Sequence, residues 1–190
     1  SYKILFWVEN SVNTAYTLTN DGKITVDYNG YIDGGFAKME EMDAFCGTSS
    51  ITVGSKKNEN KQIELSRPLA QLNFADNTTL PEQGTHQTVV TFHGVPTSFN
   101  PFTGILEMSN TDVVFTFADF PAETLSVDGS SYYYLSSNYF FAPQTGTISN
   151  MSATIDLQNT DGISIKEIEV PDITLEKNKK TNVLGSIILQ

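Results

Sequence analysis

Short runs of alternating apolar and polar residues, separated by turn residues, recur along almost the whole chain. Alternation with a period of two places the apolar side chains on one face of a strand. Asp128-Gly129 and Asp161-Gly162 stand between such runs, and Asp-Gly is a hairpin signal because glycine adopts positive φ at little cost. Many short strands with almost no helix predict an all-β antiparallel sandwich or barrel. We predict strands at residues 2–8, 14–18, 23–28, 50–54, 62–75, 87–95, 104–109, 112–118, 124–127, 131–141, 147–157, 163–170 and 179–189.

One segment favours a helix, and one polar segment divides the chain. In residues 35–45, GFAKMEEMDAF, the apolar residues follow three-residue spacing and no proline intervenes. Residues 54–62, GSKKNENKQ, are polar apart from the glycine and are typical of a linker or long hairpin. We therefore predict an N-terminal domain over residues 1–60 and a C-terminal β-sandwich domain over residues 61–190. The first segment supplies only about four strands, too few for a closed sandwich, so we interpret it as an incomplete domain.

The stretch LSRPLAQLNFAD, residues 65–76, changes the phase of its alternation. Large apolar side chains stand at odd positions up to Leu65 and at even positions from Leu72 onward. A shift of one residue moves the side chains to the other face of a strand. Pro68 lacks a donor N–H and is restricted to edges and bulges, so ladder pairing is interrupted there. We predict one long strand, residues 62–75, that crosses between two sheets at Pro68.

The chain opens within a strand. In SYKILFWVEN, Tyr2 and Phe6 fall on one face and Leu5 and Trp7 on the other, a pattern typical of a strand covered on both sides. The segment has neither the charged region nor the cleavage site of a signal peptide. Because a covered strand is an unusual place for a protein to begin, we expect further residues to precede Ser1 in the gene product.

Charge and cysteine content restrict the partners. The formal net charge is −11, and phosphate backbones attract the opposite sign, so we do not expect nucleic-acid binding. No apolar run approaches the length of about 18 residues that a membrane-spanning helix needs. The single cysteine, Cys46, cannot form an internal disulfide, and we expect it to pack as a small core residue.

No combination of residues predicts a catalytic, metal or cofactor site. His86 and His93 would face opposite sides of one strand and lie more than about 20 Å apart, so they would not share a metal. The sequence has no zinc-type cluster, no phosphate-binding glycine loop and no nucleophile elbow. Glu40, Glu41 and Asp43 could supply the paired carboxylates of a glycosidase, but such clusters are usually solvated faces. We therefore predict that the protein is not an enzyme and needs no cofactor.

Two segments are rich in aromatic residues: SSYYYLSSNYFFAP, residues 130–143, and DVVFTFADF, residues 112–120. One interpretation is cross-strand packing in a core, where aromatic pairs add to burial. The other is that Tyr132 and Tyr134 face outward and form a stacking platform for a sugar. Both interpretations are consistent with the spacing.

Several stretches occur in the order seen in one family. They are YKILFWVEN, DAFCG after the short helical segment, IELSRPLAQLNF, YYYLSSNYFFAP and the closing NKKTNVLGSIIL. In this order, over nearly the whole chain, they resemble the fimbrillin-like cell-adhesion proteins of the Bacteroidetes, which include type V pilus and Mfa-like proteins. The resemblance implies Greek-key, transthyretin-like β-sandwich domains, a lipoprotein precursor carried to the outer surface, and a role in adhesion or pilus assembly.

The resemblance also implies how subunits would join. In such pili, proteolysis after Arg or Lys removes a first strand, and a strand of another subunit fills the groove by β-strand addition. Arg67 is followed by Pro68 and is a poor protease site, so we expect the maturation site before Ser1. By resemblance, the candidate donor is the C-terminal strand, with Val183, Leu184, Ile187, Ile188 and Leu189 as the donor residues. The alternative is that this strand is an ordinary central strand that closes its own domain, as in anchor, tip or free adhesin forms.

Three functions follow from these observations. The leading hypothesis is an exported cell-surface adhesion or pilus subunit that contacts other pilus subunits or host or bacterial surface ligands, with a membrane link only through an upstream lipid anchor. The second is a carbohydrate-binding β-sandwich module that uses Tyr132 and Tyr134, and the third is a β-sandwich glycosidase. An adhesin predicts a strand groove, a sugar-binding module predicts exposed rings, and a glycosidase predicts two carboxylates in a cleft.

Overall fold

The structure, a computed structural model, describes residues 1–54, 62–78 and 84–185. In these residues it contains one α-helix, α1 (Gly35–Glu40), and a 3-10 helix over Asn29–Tyr31. No helix among them is long and apolar enough to span a membrane. The strands are β1 (Tyr2–Glu9), β2 (Tyr16–Leu18), β3 (Ile24–Val26), β4 (Ala44–Ile51), β5 (Leu69–Asp76), β6 (Gln87–His93), β7 (Pro96–Phe99), β8 (Leu106–Met108), β9 (Val113–Phe117), β10 (Thr124–Val127), β11 (Ser130–Phe141), β12 (Thr147–Gln158), β13 (Ser164–Glu176) and β14 (Lys180–Gly185).

The strands form four sheets, which confirms the all-β sandwich prediction. Two four-stranded sheets, β10-β11-β5-β14 and β13-β12-β6-β9, face each other and are called the main sandwich below. A third sheet has the order β2-β3-β7-β8, and β1 pairs with β4 alone. The described strand pairs are antiparallel, except that β14 runs parallel to β5.

Aromatic side chains fill the main sandwich. Phe74 of β5 stacks on Phe92 of β6 with ring centroids 5.9 Å apart, and Phe140 of β11 meets Phe92 edge-on at 4.9 Å. All three rings are fully buried. β5 is buried at every position because it lies between β11 and β14 and is covered on both faces. The interpretation of the aromatic segments as core packing therefore holds for Phe140 and for Phe115, which contacts Phe92 at 5.9 Å.

Residues of the segment 1–54 share a core with the described residues that follow it. Tyr28 packs edge-on against Phe115 at 5.7 Å and donates a hydrogen bond to the carbonyl of Pro96 at 2.9 Å. Ile24 of β3 pairs with Phe99 of β7, so one sheet takes strands from both sides of the predicted boundary. The division into domains 1–60 and 61–190 stays a prediction, and the shared core is the observation that bears on it.

The chain crosses between sheets at Arg67-Pro68. Ser66 exchanges two backbone hydrogen bonds of 2.9 Å with Cys46 of β4, and the main sandwich strand β5 begins at Leu69. This confirms the crossing at Pro68. The prediction of one continuous strand over residues 62–75 is wrong, because Ser66 forms an isolated bridge and the strand starts only after the proline.

Other predicted boundaries need correction. The helix predicted over residues 35–45 ends at Glu40, and the strand predicted over residues 50–54 is instead β4, which begins at Ala44. The ladder between β4 and β1 overrides the local three-residue spacing. The strand predicted over residues 87–95 divides into β6 and β7, because Gly94 takes a φ of +65° between strands of two different sheets.

β1 is covered on one face. Its inward residues Leu5 and Trp7 pack against the core. On the other face, Tyr2, Phe6 and Val8 are 63%, 41% and 49% exposed. The expectation that both faces of β1 are covered is therefore wrong for this chain.

Candidate functional site

A groove separates β1 from the β2-β3 pair. It has a volume of about 290 Å³. Leu5 and Trp7 both reach it because alternate residues of a strand share a face. Its lining is mostly apolar and consists of Leu5, Trp7, Glu9, Tyr16, Leu18 and Ile24.

Hydrogen bonds hold the aromatic wall of this groove. The indole N–H of Trp7 donates to Glu9 Oε2 at 2.8 Å, and the Trp7 ring meets Tyr16 edge-on at 5.2 Å. The Tyr16 hydroxyl donates to the carbonyl oxygen of Met42 at 2.6 Å. Burial raises the pKa of Tyr16 well above its ordinary value, so the phenol remains a neutral donor. The wall of the groove is therefore preorganised.

The groove borders strands with open edges. Within the described ranges, β1 has β4 as its only strand partner, and β2 is the outermost strand of its sheet. Leu18 of β2 is 61% exposed although it lines the groove. Such edges present backbone N–H and C=O groups that another strand can pair with. The arrangement can accept an extended segment beside β1.

A second concave site lies beside α1. It is a cleft of about 310 Å³ between the helix and the face of β5 and β11 opposite the Phe74 and Phe140 core. Pro121 and Glu123, which precede β10, close one side, and Lys180 at the start of β14 closes another. The complete lining is Phe36, Ala37, Glu40, Gln71, Pro121, Glu123, Tyr134, Ser137 and Lys180.

A buried row of amide and hydroxyl groups forms one wall of this cleft. Gln71 and Ser137 are 8% and 4% exposed. The Gln71 amide nitrogen lies 3.0 Å from Ser137 Oγ and 3.3 Å from Asn73 Oδ1, and donates to both. Asn73 in turn donates to Asn182 Oδ1 of β14 at 2.9 Å. These bonds hold the polar wall in one orientation.

Charged groups of both signs surround the cleft. Glu40 accepts a hydrogen bond from the Tyr139 hydroxyl at 3.0 Å. Glu123 and Lys180 line the cleft without an ion-pair partner among the described residues. Burial, and then the negative charges of Glu40 and Glu123, raise the pKa of Tyr134. Tyr134 is therefore a neutral hydroxyl donor at neutral pH.

The structure separates the two tyrosines proposed for sugar stacking. Tyr134 lines the cleft, and its ring lies 6.2 Å from that of Phe36. Tyr132 lies opposite Leu125 of β10 and is not part of the cleft lining. A stacking role for either ring stays a prediction. Phe36, Gln71 and Lys180 were not predicted as site residues, because they come from separate elements that only the fold brings together.

The proposed donor residues fall in two parts. Val183 and Leu184 belong to β14 and are half-buried, opposite Phe74 and Ala75 of β5. Ile187, Ile188 and Leu189 lie outside the described residues. The donor assignment stays a prediction.

The acidic cluster near α1 consists of carboxylates with separate partners. Glu41 pairs with Lys38 at 2.5 Å, and both carboxylate oxygens of Asp43 accept hydrogen bonds from Arg67, at 2.5 and 2.7 Å. Glu40 lies in the cleft described above. Two of the three carboxylates considered for a glycosidase, those of Glu41 and Asp43, therefore form structural ion pairs.

The histidines lie apart from both concave sites. His93 Nδ1 lies 2.7 Å from Oδ1 of Asp112, the residue before the neighbouring strand β9. His86 directly precedes β6. Residues 1–54, 62–78 and 84–185 contain no group of three or more His, Cys, Asp or Glu side chains that could hold a metal ion.

Comparison with solved structures shows a shared fold at low sequence identity. A candidate adhesin from Bacteroides thetaiotaomicron matches with a TM-score of 0.53 and 11% identity, over 88% of this chain and 58% of that one. Candidate polysaccharide-binding proteins from the same organism match with a TM-score of 0.50 and 11% identity, over 89% of this chain and 57% of that one. This chain therefore spans less than two thirds of either relative.

The fimbrial anchor protein Mfa2 from Porphyromonas gingivalis is also similar, with a TM-score of 0.45 and 10% identity, over 96% of this chain and 67% of that one. No curated protein matches the chain. The model of one family, described as a family of unknown function, DUF6562, matches residues 1–190. The chain belongs to this family, DUF6562.

Proposed function

We propose that this chain is a cell-surface adhesion or pilus subunit that acts through protein–protein contacts. The observation that carries the proposal is the groove beside β1, which is apolar, preorganised and bordered by open strand edges. The fold that the chain shares with a candidate adhesin supports the same conclusion. A strand from another subunit is the partner that fits a groove of this kind.

The proposed contact is β-strand addition at β1. A strand that pairs with the free edge of β1 would place alternate side chains beside Leu5 and Trp7, because neighbouring residues of paired strands share a face. Those side chains would enter the groove and bury apolar surface against Tyr16 and Leu18. Backbone ladder bonds would supply affinity, and the groove would select the side chains.

The proposed donor is the C-terminal segment of a neighbouring copy. Residues 181–190, TNVLGSIILQ, alternate apolar residues on two faces and so require cover on both. We assign the transferred side chains to Ile187, Ile188 and Leu189, the last apolar residues of this segment.

Fluorescence of Trp7 tests strand addition directly, since Trp7 is the single tryptophan and lines the groove. A synthetic peptide of residues 181–190 is titrated into the purified chain. We expect a saturable change in tryptophan emission, because the peptide displaces water from the indole. A peptide with the same composition in scrambled order should produce no saturable change. Equal responses to both peptides would contradict the proposal.

Two matched variants locate the site. Leu18→Glu places a charge in the groove, and Ile163→Glu places one in the turn between β12 and β13, outside the groove lining; the native side chains are both 61% exposed, so neither change disturbs the core. Leu18→Glu should abolish the Trp7 response, whereas Ile163→Glu should leave it unchanged. Retention of peptide binding by Leu18→Glu would exclude this groove as the acceptor.

Surface location is tested separately in the source organism. Antibodies against the purified chain should label intact cells, as expected for an exported lipoprotein at the outer membrane. Labelling that requires permeabilised cells would contradict the adhesive role. Mass spectrometry of the native protein tests for a lipid anchor.

A further inference from the structure

We propose that the cleft beside α1 binds a neutral saccharide unit. This goes beyond the strand-mediated contact proposed above, because the cleft and the groove beside β1 share no lining residue. The cleft combines an apolar wall, a buried polar wall and charges of opposite sign. Each of these features restricts the chemistry of the ligand.

The size and the apolar wall suit a small ring. Small-molecule sites have volumes of about 300–1,000 Å³, and a cleft of about 310 Å³ lies at the lower end of this range. Phe36, Pro121 and Tyr134 supply the apolar surface. The Phe36 ring packs against Phe117 with ring centroids 4.9 Å apart, and this contact holds the Phe36 ring in place. The C–H face of one pyranose ring has about the size of this apolar wall, whereas an extended apolar ligand is larger than the wall.

The polar wall is built before any ligand arrives. Gln71 and Ser137 are more than nine-tenths buried and are oriented by hydrogen bonds to each other and to Asn73. The amide oxygen of Gln71 accepts no hydrogen bond from the described residues, which leaves it available at the cleft. Buried amide groups discriminate strongly, because a ligand that fails to satisfy them leaves them without a partner.

The charges of the cleft disfavour a simple anion and only weakly favour a simple cation. An anionic ligand would meet Glu40 and Glu123, and a cationic ligand would meet Lys180. A hydroxyl group both donates and accepts hydrogen bonds, so it can bond to the carboxylates, to the ammonium group and to the Gln71 oxygen. A neutral ligand with several hydroxyl groups satisfies all of these groups. A saccharide has this chemistry together with an apolar face.

A glycan array probed with the fluorescently labelled chain tests the inference. The array carries neutral glycans, sialylated glycans and sulfated glycans. We expect binding to one or more neutral glycans, followed by saturation-transfer NMR signals from the matching free methyl glycoside. Absence of neutral hits, or binding confined to acidic glycans, would overturn the proposal. Competition by N-acetyl-lysine amide rather than by the methyl glycoside would assign the cleft to a basic side chain and would also overturn it.

Three variants separate the cleft from a nonspecific surface. Tyr134→Ala should weaken glycan binding about tenfold or more, which corresponds to the loss of one good contact. Glu123 is exposed, so Glu123→Gln leaves the core intact. A severalfold loss of glycan affinity in this variant would support the cleft even if Tyr134→Ala failed to fold. Tyr133→Ala is the matched control on the same strand, because Tyr133 lies outside the cleft lining, and it should bind as the native chain does.

The two proposals fail independently. If the peptide of residues 181–190 binds and no glycan does, the cleft assignment is wrong and strand addition stands. If a neutral glycan binds but Tyr134→Ala and Glu123→Gln bind it as well as the native chain, the sugar site lies elsewhere and the cleft assignment is wrong. Peptide competition with a bound glycan would show that one site serves both, which would contradict the separation of cleft and groove.

Discussion

Asn138 is a polar side chain enclosed in the core of the main sandwich. It is fully buried, lies opposite Leu72 of β5 and is on the same face of β11 as Phe140. Neither its amide nitrogen nor its amide oxygen has a hydrogen-bond partner among the described residues. Burying an amide without a partner costs about 1–3 kcal/mol. Asn138 therefore lowers the stability of the fold around it.

Replacement of this residue with an apolar one should stabilise the protein. We expect Asn138→Leu, which has a similar shape, to raise the free energy of unfolding by about 1–2 kcal/mol, because the desolvation cost disappears. Urea denaturation followed by circular dichroism measures the change. The matched control is Asn73→Leu, since Asn73 is equally buried but hydrogen-bonded to Asn182 and Gln71. The control should be destabilised, and a destabilised Asn138→Leu would show that Asn138 has a partner in solution.

Buried phenols predict how stability depends on alkaline pH. Burial raises the pKa of Tyr16, Tyr28 and Tyr139 in the folded chain, and for Tyr139 the nearby Glu40 adds to the effect. A tyrosine in the unfolded chain titrates near pH 10. Below that pH, both states are protonated and the contribution to stability is constant. Above it, the unfolded state loses protons first, so stability falls as the pH rises.

We therefore expect part of the tyrosine ionisation to coincide with unfolding. Absorbance at 295 nm should rise in two phases above pH 10, the second together with loss of the circular dichroism signal. Tyr28→Phe should remove one phenol from the second phase. If all tyrosines ionised in one phase while the circular dichroism signal stayed native, the buried positions of these phenols would be wrong.

At the scale of elements, Arg67 connects three segments where the chain crosses between sheets. Its guanidinium group holds Asp43 through two hydrogen bonds, contacts Asn178 Oδ1 at 3.3 Å and lies 5.0 Å from the centre of the Phe45 ring. Arg67 and Asp43 are 32% and 24% exposed, so the pair is only partly screened by solvent. The bidentate geometry makes this pair stronger than an ordinary surface pair.

Arg67→Met keeps an aliphatic stem but removes the guanidinium group, with its bonds to Asp43 and its contact with the Phe45 ring. We expect a loss of about 1–2 kcal/mol in the free energy of unfolding, measured by urea denaturation. A double-mutant cycle with Asp43→Asn should show coupling between the two positions. Lys23→Met removes the pairs of Lys23 with Asp21 and Glu107, whose side chains are 59% and 55% exposed, and should cost less than Arg67→Met because solvent screens these pairs. Equal losses for the two methionine variants would show that Arg67 does not connect these segments.

Local sequence patterns predicted the strands whose ends are set by residues within or next to the strand. β10 was predicted at its observed bounds because Asp128-Gly129 ends it with a tight turn, and both of these residues take positive φ. β4 was missed because its polar Thr48 and Ser50 do not alternate with large apolar residues, and pairing with β1 determines its start. Gly94 divides a run that looked continuous, and only the separate sheets of β6 and β7 reveal this.

The concave sites were harder to predict than the strands. Tyr134 was identified from its place in an aromatic run, but its neighbours in the cleft are distant in the chain. Phe36 comes from α1, Gln71 from β5 and Lys180 from β14. No period or spacing relates these positions, so only the packing of three elements could bring them together. The same holds for Trp7 and Leu18 in the groove.

At the scale of the whole molecule, contacts across residue 60 determine how the chain unfolds. Trp7 and Tyr16 lie 6.5 and 5.5 Å from Phe141, measured between ring centroids. Tyr28 lies 6.0 Å from Phe140. The N-terminal segment is thus packed on β11, the longest strand of its sheet in the main sandwich. Two segments that share a core lose their packing together.

We therefore expect one cooperative transition for the described fold. Trp7 fluorescence reports the N-terminal segment, and far-UV circular dichroism reports mainly the main sandwich; in urea both signals should change with the same midpoint and the same slope. Phe115→Leu, in the second segment, should lower both midpoints equally through a loss of about 1–2 kcal/mol, because Phe115 contacts Tyr28 across the predicted boundary. A Trp7 transition that stayed in place while the circular dichroism transition moved would show that residues 1–60 fold as a separate domain.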